Sequence, residues 1–128
     1  MRYTWMDEYL LGQAGVTKDL QPDWNWIRYK IGEKLFAAVC LNDQNEAVYV
    51  TVKLDPMEGE FLRAQYPDII PGYYCNKKHW NSIRADGAVP DELVRELLDK
   101  SRALVLAGFS KKRQKEILDA YDLQEGCT

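Results

Sequence analysis

Trp5, Met6, Tyr9 and Leu10, with Gln13 on the same face, recur at the three-to-four spacing of an amphipathic helix over residues 3–13. Gly15 is placed to end that helix. Past the turn-forming Gln21-Pro22-Asp23, the pattern changes period. Trp26 to Ile31, Lys34 to Leu41 and Ala47 to Leu54 read as strands, and in the third Val48, Val50, Val52 and Leu54 alternate against Tyr49, Thr51 and Lys53. That alternation belongs to a sheet with one buried face. The connections Gly32-Glu33 and 42–46 are short enough for antiparallel hairpins, so a three-stranded meander is predicted.

Asp55-Pro56-Met57-Glu58 has the chemistry of a helix start, with Asp55 as cap, Pro56 in the first helical position and Glu58 where a capping box wants a carboxylate. A short helix to about Tyr66 follows, closed by Pro67 and Pro71-Gly72. Extended segments are expected at Tyr73-Tyr74-Cys75 and from Trp80 to Ala85, with Asp86-Gly87 as exit turn. Pro90, Asp91 and Glu92 open a long helix whose apolar stripe is Leu93, Val94, Leu97, Leu98, Leu104 and Val105, ending at Gly108. Ser110 caps a final short helix carrying Ile117, Leu118 and Tyr121. The order α-β-β-β-α-β-β-α(-α), with hairpin-linked strands, predicts an α+β two-layer domain over residues 1–128, its antiparallel sheet covered by helices on one face.

With 128 residues the chain can bury roughly two thirds of its unfolded surface and fold without metals or disulfides. The three cysteines, Cys40, Cys75 and Cys127, are odd in number and widely spaced, which argues against a disulfide framework or a CxxC site. No apolar run reaches the roughly 18 residues of a membrane span, and the first residues lack a signal peptide's apolar core. A cytoplasmic protein with no membrane contact is expected.

The net charge of −3 does not favour a polyanion as partner, but the charge comes in blocks. Residues 73–85 hold Lys77, Lys78 and Arg84 without an acid, and residues 100–118 hold six basic residues against Glu116 alone. Between them, residues 86–99 carry five acids and one arginine. The two basic blocks are either one surface or two solvated faces.

The densest chemistry lies in Pro71-Gly72-Tyr73-Tyr74-Cys75-Asn76-Lys77-Lys78-His79-Trp80-Asn81. Together with Leu62-Arg63-Ala64-Gln65-Tyr66-Pro67 and Asp86-Gly87-Ala88-Val89-Pro90-Asp91, it resembles the MmcQ/YjbR family of small bacterial proteins, and the resemblance spans nearly the whole chain. It implies a fold like that of type III secretion chaperones, and a family commonly labelled DNA-binding. Where members often carry a histidine and an aliphatic residue, this chain has Tyr74-Cys75, which leaves no second imidazole there.

On a DNA-binding reading, Lys77, Lys78 and Arg84 contact phosphates, Tyr74 or Trp80 offers an aromatic face, and Asn76, His79 and Asn81 add polar contacts, Asn81 as an amide fork for a base edge. Lys111, Lys112 and Arg113 crowd the first turn of the last helix, where the macrodipole prefers anions; a bound phosphate or Glu116 would compensate. The competing reading makes Trp80 core and the lysines a solvated hairpin. No catalytic group is identified. Cys75 and His79, four apart in extended chain, do not meet as they would on a helix, and they are only half a zinc site. There is no Walker A, Rossmann or HExxH motif, so neither enzyme, cofactor nor metal is expected. A non-enzymatic protein-interaction or chaperone-like module, anchored by Trp24, Trp26 and Tyr49, is the alternative to DNA as partner.

Overall fold

The computed structural model describes the backbone of residues 1–72 and 78–126, with side chains through residue 119 in the last helix. The elements are α1 (Met6–Leu11), β1 (Val16–Gln21), β2 (Trp26–Ile31), β3 (Lys34–Leu41), β4 (Ala47–Lys53), α2 (Pro56–Gln65), β5 (Ile69–Pro71), β6 (Trp80–Arg84), α3 (Asp91–Ala107) and α4 (Lys111–Gly126). The strands form one six-stranded sheet in the order β1-β2-β3-β4-β6-β5, antiparallel throughout. The fold is α+β.

Alternation along the strands sorts side chains to two faces. Tyr29, Ile31, Ala37, Val39, Val50, Val52, Ile69 and Ile83 join one cluster with Met6 and Leu10 of α1, Leu62 of α2, Val94, Leu97, Leu98 and Val105 of α3, and Ile117 of α4. The helices therefore contribute to one face, as the amphipathic patterns require. On the other face Trp26, Ala38 and Cys40 form a smaller buried group flanked by Leu35 and Tyr49. There Thr51 Oγ1 lies 2.9 Å from Ser82 Oγ and 3.5 Å from Cys40 Sγ, so buried hydroxyls satisfy one another.

Local chemistry sets the ends of the elements. Asp55 Oδ1 accepts from the Met57 N–H at 3.0 Å, capping α2 with Pro56 in its first turn. Glu58 does not close a capping box; it pairs with Lys100 of α3. Within the α3 stripe, Ser101 is fully buried: its hydroxyl donates to the Phe36 carbonyl and accepts from the Lys53 N–H at 2.8 Å. One side chain thus ties α3 to both β3 and β4.

Two strands fall outside the expected order. Residues 16–21 are a strand, β1, hairpin-paired with β2, in a stretch to which the sequence pattern assigns no element. As an edge strand β1 has little to bury, and inner-face Lys18 breaks the apolar alternation by reaching Asp7 at 2.7 Å. β5 has only three residues, too few to show a period, and Pro71 is tolerated because β5 is an edge. The first helix is shorter than 3–13, with Gly12 as its last capping residue. Gly15 instead makes the turn into β1 at φ +78, where a Cβ would lie 2.5 Å from Ile117 Cγ2. The last helix is 16 residues long, not a short one. The strand expected at Tyr73-Tyr74-Cys75 lies outside the described residues.

Candidate functional site

The strand registers locate both basic blocks. Ala37 pairs with Val52, and Lys53 with Trp80, so the β2–β3 turn, the end of β4 and the start of β6 occupy the same end of the sheet. The backbone just before β6 is held there, since the His79 carbonyl accepts from the Leu54 N–H at 2.8 Å. Lys78, next to it, is exposed.

From the other side, α3 delivers the second block to that end. Phe109 packs beside Gly32, the Lys34 amine sits 4.6 Å from the centre of its ring, and Arg113 Nη2 lies 2.8 Å from Glu33 Oε2 in the β2–β3 turn. Ser110 caps α4 as expected, accepting from the Arg113 N–H at 3.1 Å. Arg113 also reaches Glu116 at 3.5 Å, so two carboxylates answer its charge, and its guanidinium holds the Glu33 carboxyl below the ordinary carboxylate range. Lys111 and Lys112 are exposed and have no ion-pair partner among the described residues. Glu116 compensates Arg113, not Lys112.

Neighbouring strands lie about 4.8 Å apart, so β3 and β6, separated by β4 alone, are roughly 10 Å apart. Lys34, Lys53 and Lys78 therefore lie toward one end of the sheet, as do Lys111 and Lys112 through the docking of α4 on the β2–β3 turn, together with the carboxylates Glu33 and Asp55. Across the molecule the sign reverses. Asn42, Glu46, Asp68 and Asp86 border a cleft of about 310 Å³ at the far ends of β4 and β6. Along β4, Lys53 and Ala47 are six residues apart, about 20 Å. That is some two Debye lengths at physiological salt, so this cleft is largely screened from the other end, whose own carboxylates are Glu33 and Asp55.

The remaining candidates divide by face. Arg84 stands at the acidic end, with Nε 3.8 Å from Asp68, and is not brought together with Lys78. Trp80 is half-buried and shares the second face with Lys53. Asn81, read from sequence as a base-edge contact, is 1% exposed because it points to the helix side, opposite Val52. There Arg63 Nη1 donates to its Oδ1, and its Nδ2 lies 3.4 Å from the His79 carbonyl. His79 itself is half-buried. Tyr74, Asn76 and Lys77 lie outside the described residues. Of the alternative anchors, Trp26 is 1% exposed and packed edge-on by Trp24, which is 59% exposed. Among the described residues no group of three or more His, Cys, Asp or Glu side chains is placed to hold a metal ion, and no helix is long and apolar enough to cross a membrane.

A family model, YjbR, matches residues 11–104, from the end of α1 to the last turn of α3. The chain belongs to the YjbR family. It is 32% identical over 94 residues to the uncharacterised protein YjbR of Escherichia coli K12, covering 73% of this chain and 78% of that one. With the uncharacterised YbdF of Escherichia coli O157:H7 it shares 34% over 89 residues, 70% of this chain and 71% of the relative. A crystal structure of a Deinococcus radiodurans protein with a DUF419 domain superposes with a TM-score of 0.78 at 32% identity, covering 88% of this chain and 84% of that one. A Pseudomonas syringae protein shares the fold alone, with a TM-score of 0.63 at 21% identity over 81% of this chain and 98% of its own. Lys78 lies inside the YjbR match, whereas Lys111 and Lys112 lie beyond its last residue. The basic end thus combines a family segment with one outside the family model.

Proposed function

We propose that this protein binds DNA through the basic end of its sheet. The supporting observation is that two blocks more than thirty residues apart in sequence, at Lys78 and at Lys111-Lys112, both lie toward one end of the sheet, where Lys34 and Lys53 also stand. A duplex carries one negative charge per about 1.7 Å of axis, so cations spread along this end would face several phosphates at once. Phosphate contacts of this kind position a protein without reading sequence. In this reading it is a non-enzymatic, cytoplasmic binding protein with a net charge of −3.

Five phosphate contacts would give a log–log salt dependence of about −4.5, and loss of two would reduce it to about −2.7. Fluorescence anisotropy of labelled duplex across a salt series tests this, with Lys111→Glu/Lys112→Glu beside the wild type. A slope that does not change in the variant counts against the proposed surface.

A second reading rests on Trp24 and Leu20, 59% and 55% exposed on the β1–β2 hairpin. Exposed aromatics of this kind anchor protein partners. Trp24→Ala would then abolish a protein interaction while leaving any DNA affinity intact; a variant that still retains its partner excludes this anchor.

A further inference from the structure

Arg63 was not singled out by charge pattern. It is half-buried in the last turn of α2, and Asn81 is its one polar partner among the described residues. Like Arg102, which donates to the Ala14 carbonyl, and Arg95, which lies over Trp5, Arg63 has no carboxylate within ion-pair distance among the described residues.

The surroundings hold the group in one place. Helix side chains lean toward the N-terminus, so Arg63 reaches back over Gly59 to the 1% exposed Asn81. A Cβ at Gly59 would sit 2.9 Å from Asn81 Nδ2 and 3.1 Å from Arg63 Nη1, so a glycine in mid-helix makes room for the pair. Asn81 in turn lies against the His79 carbonyl, one residue from Lys78. Among the described residues one guanidinium nitrogen is used, and the other donors of its planar fork, the geometry that matches an oxyanion, have no partner.

We propose that Arg63, fixed by Asn81, binds a phosphoryl oxyanion at the root of the Lys78-His79 segment. This deepens the DNA-binding reading and rests on it only for the source of the phosphate. Arg63 makes the contact and Asn81 is the positioning residue.

The test follows the Arg63 Nε–Hε NMR resonance while inorganic phosphate is added at constant ionic strength, with chloride as control. Saturable movement specific to phosphate, absent in Arg63→Gln, is the expected result. No movement, or equal movement with chloride, overturns the site. Arg63→Lys, which keeps the charge but loses the fork, should fold with an unchanged Tm and show weakened phosphate binding; unweakened binding would overturn the role of the fork. Duplex DNA then separates the sources. A salt slope reduced by about 0.9 in Arg63→Gln assigns the contact to the nucleic-acid backbone. An unchanged slope beside a positive phosphate titration assigns it to a free phosphoryl ligand. Failure of the wild type to bind DNA removes the parent reading and leaves Arg63 to be judged by phosphate alone.

Discussion

Single polar side chains decide much of how this sheet is held. Ser101 satisfies a carbonyl of β3 and an N–H of β4 from the middle of an apolar helix stripe. Ser101→Ala strands both backbone groups in the core, and we expect a loss of about 1–3 kcal/mol in urea unfolding. Asp7 is a smaller, pH-dependent case. Its carboxyl is held below the ordinary value first by a hydrogen bond to Lys18, then by one from Tyr29. Since the folded pKa is the lower one, the contribution is present above the unfolded value near 4 and disappears as pH falls through the folded value. Asp7 is 49% exposed, so the effect should stay below about 1 kcal/mol. Between pH 7 and pH 2, Asp7→Asn should lose less stability than the wild type; equal losses contradict the assignment. The apolar stripe 94, 97, 98, 105 was legible from spacing, but Ser101 was not, because its partners are main-chain atoms 48 and 65 residues away.

The elements show what periodicity reveals and what it hides. β4 and α3 were legible because each buries a face at its own period, α2 from its Asp55-Pro56 start, and β3, buried on both faces, as an apolar run between turns. β1 and β5 were not, one being an exposed edge strand and the other only three residues long. The length of α4 was missed as well. It is anchored through Ile117, which packs on Gly15 and Gly32, and no apolar pattern in the residues beyond marks its end. Gly15→Ala would force a left-handed backbone and a collision with Ile117, and we expect about 2–4 kcal/mol of destabilisation. A neutral result would mean that α4 is not docked there. Gly59 was the available signal for the Arg63–Asn81 pair. Glycine inside a helix costs up to about 1 kcal/mol against alanine, so its presence marks a close approach. Gly59→Ala should therefore lower Tm despite its better helix propensity; a higher Tm would mean the pair has room to move.

For the whole molecule, the separation of charge along the strands outweighs its sum. Sequence showed the basic blocks but not that both lie toward one end of the sheet, since that depends on the register of β4 with β6 and on α3 returning the chain to the β2–β3 turn. It also grouped Arg84 with Lys78, although about four strand residues, roughly 13 Å, separate Trp80 from Arg84. Arg84→Glu should accordingly leave DNA affinity and salt dependence nearly unchanged. A loss as large as that from the lysine variants would place the binding surface elsewhere on the second face.

The measurement that bears most directly on the basic end is the anisotropy salt series on duplex DNA with wild type, Lys78→Glu, Lys111→Glu/Lys112→Glu and Arg84→Glu together. The predicted result is salt-sensitive binding by the wild type, a shallower slope in both lysine variants, and an Arg84→Glu curve close to wild type. No wild-type binding at low salt, or equal slopes in all four proteins, would contradict the assignment of this surface to DNA.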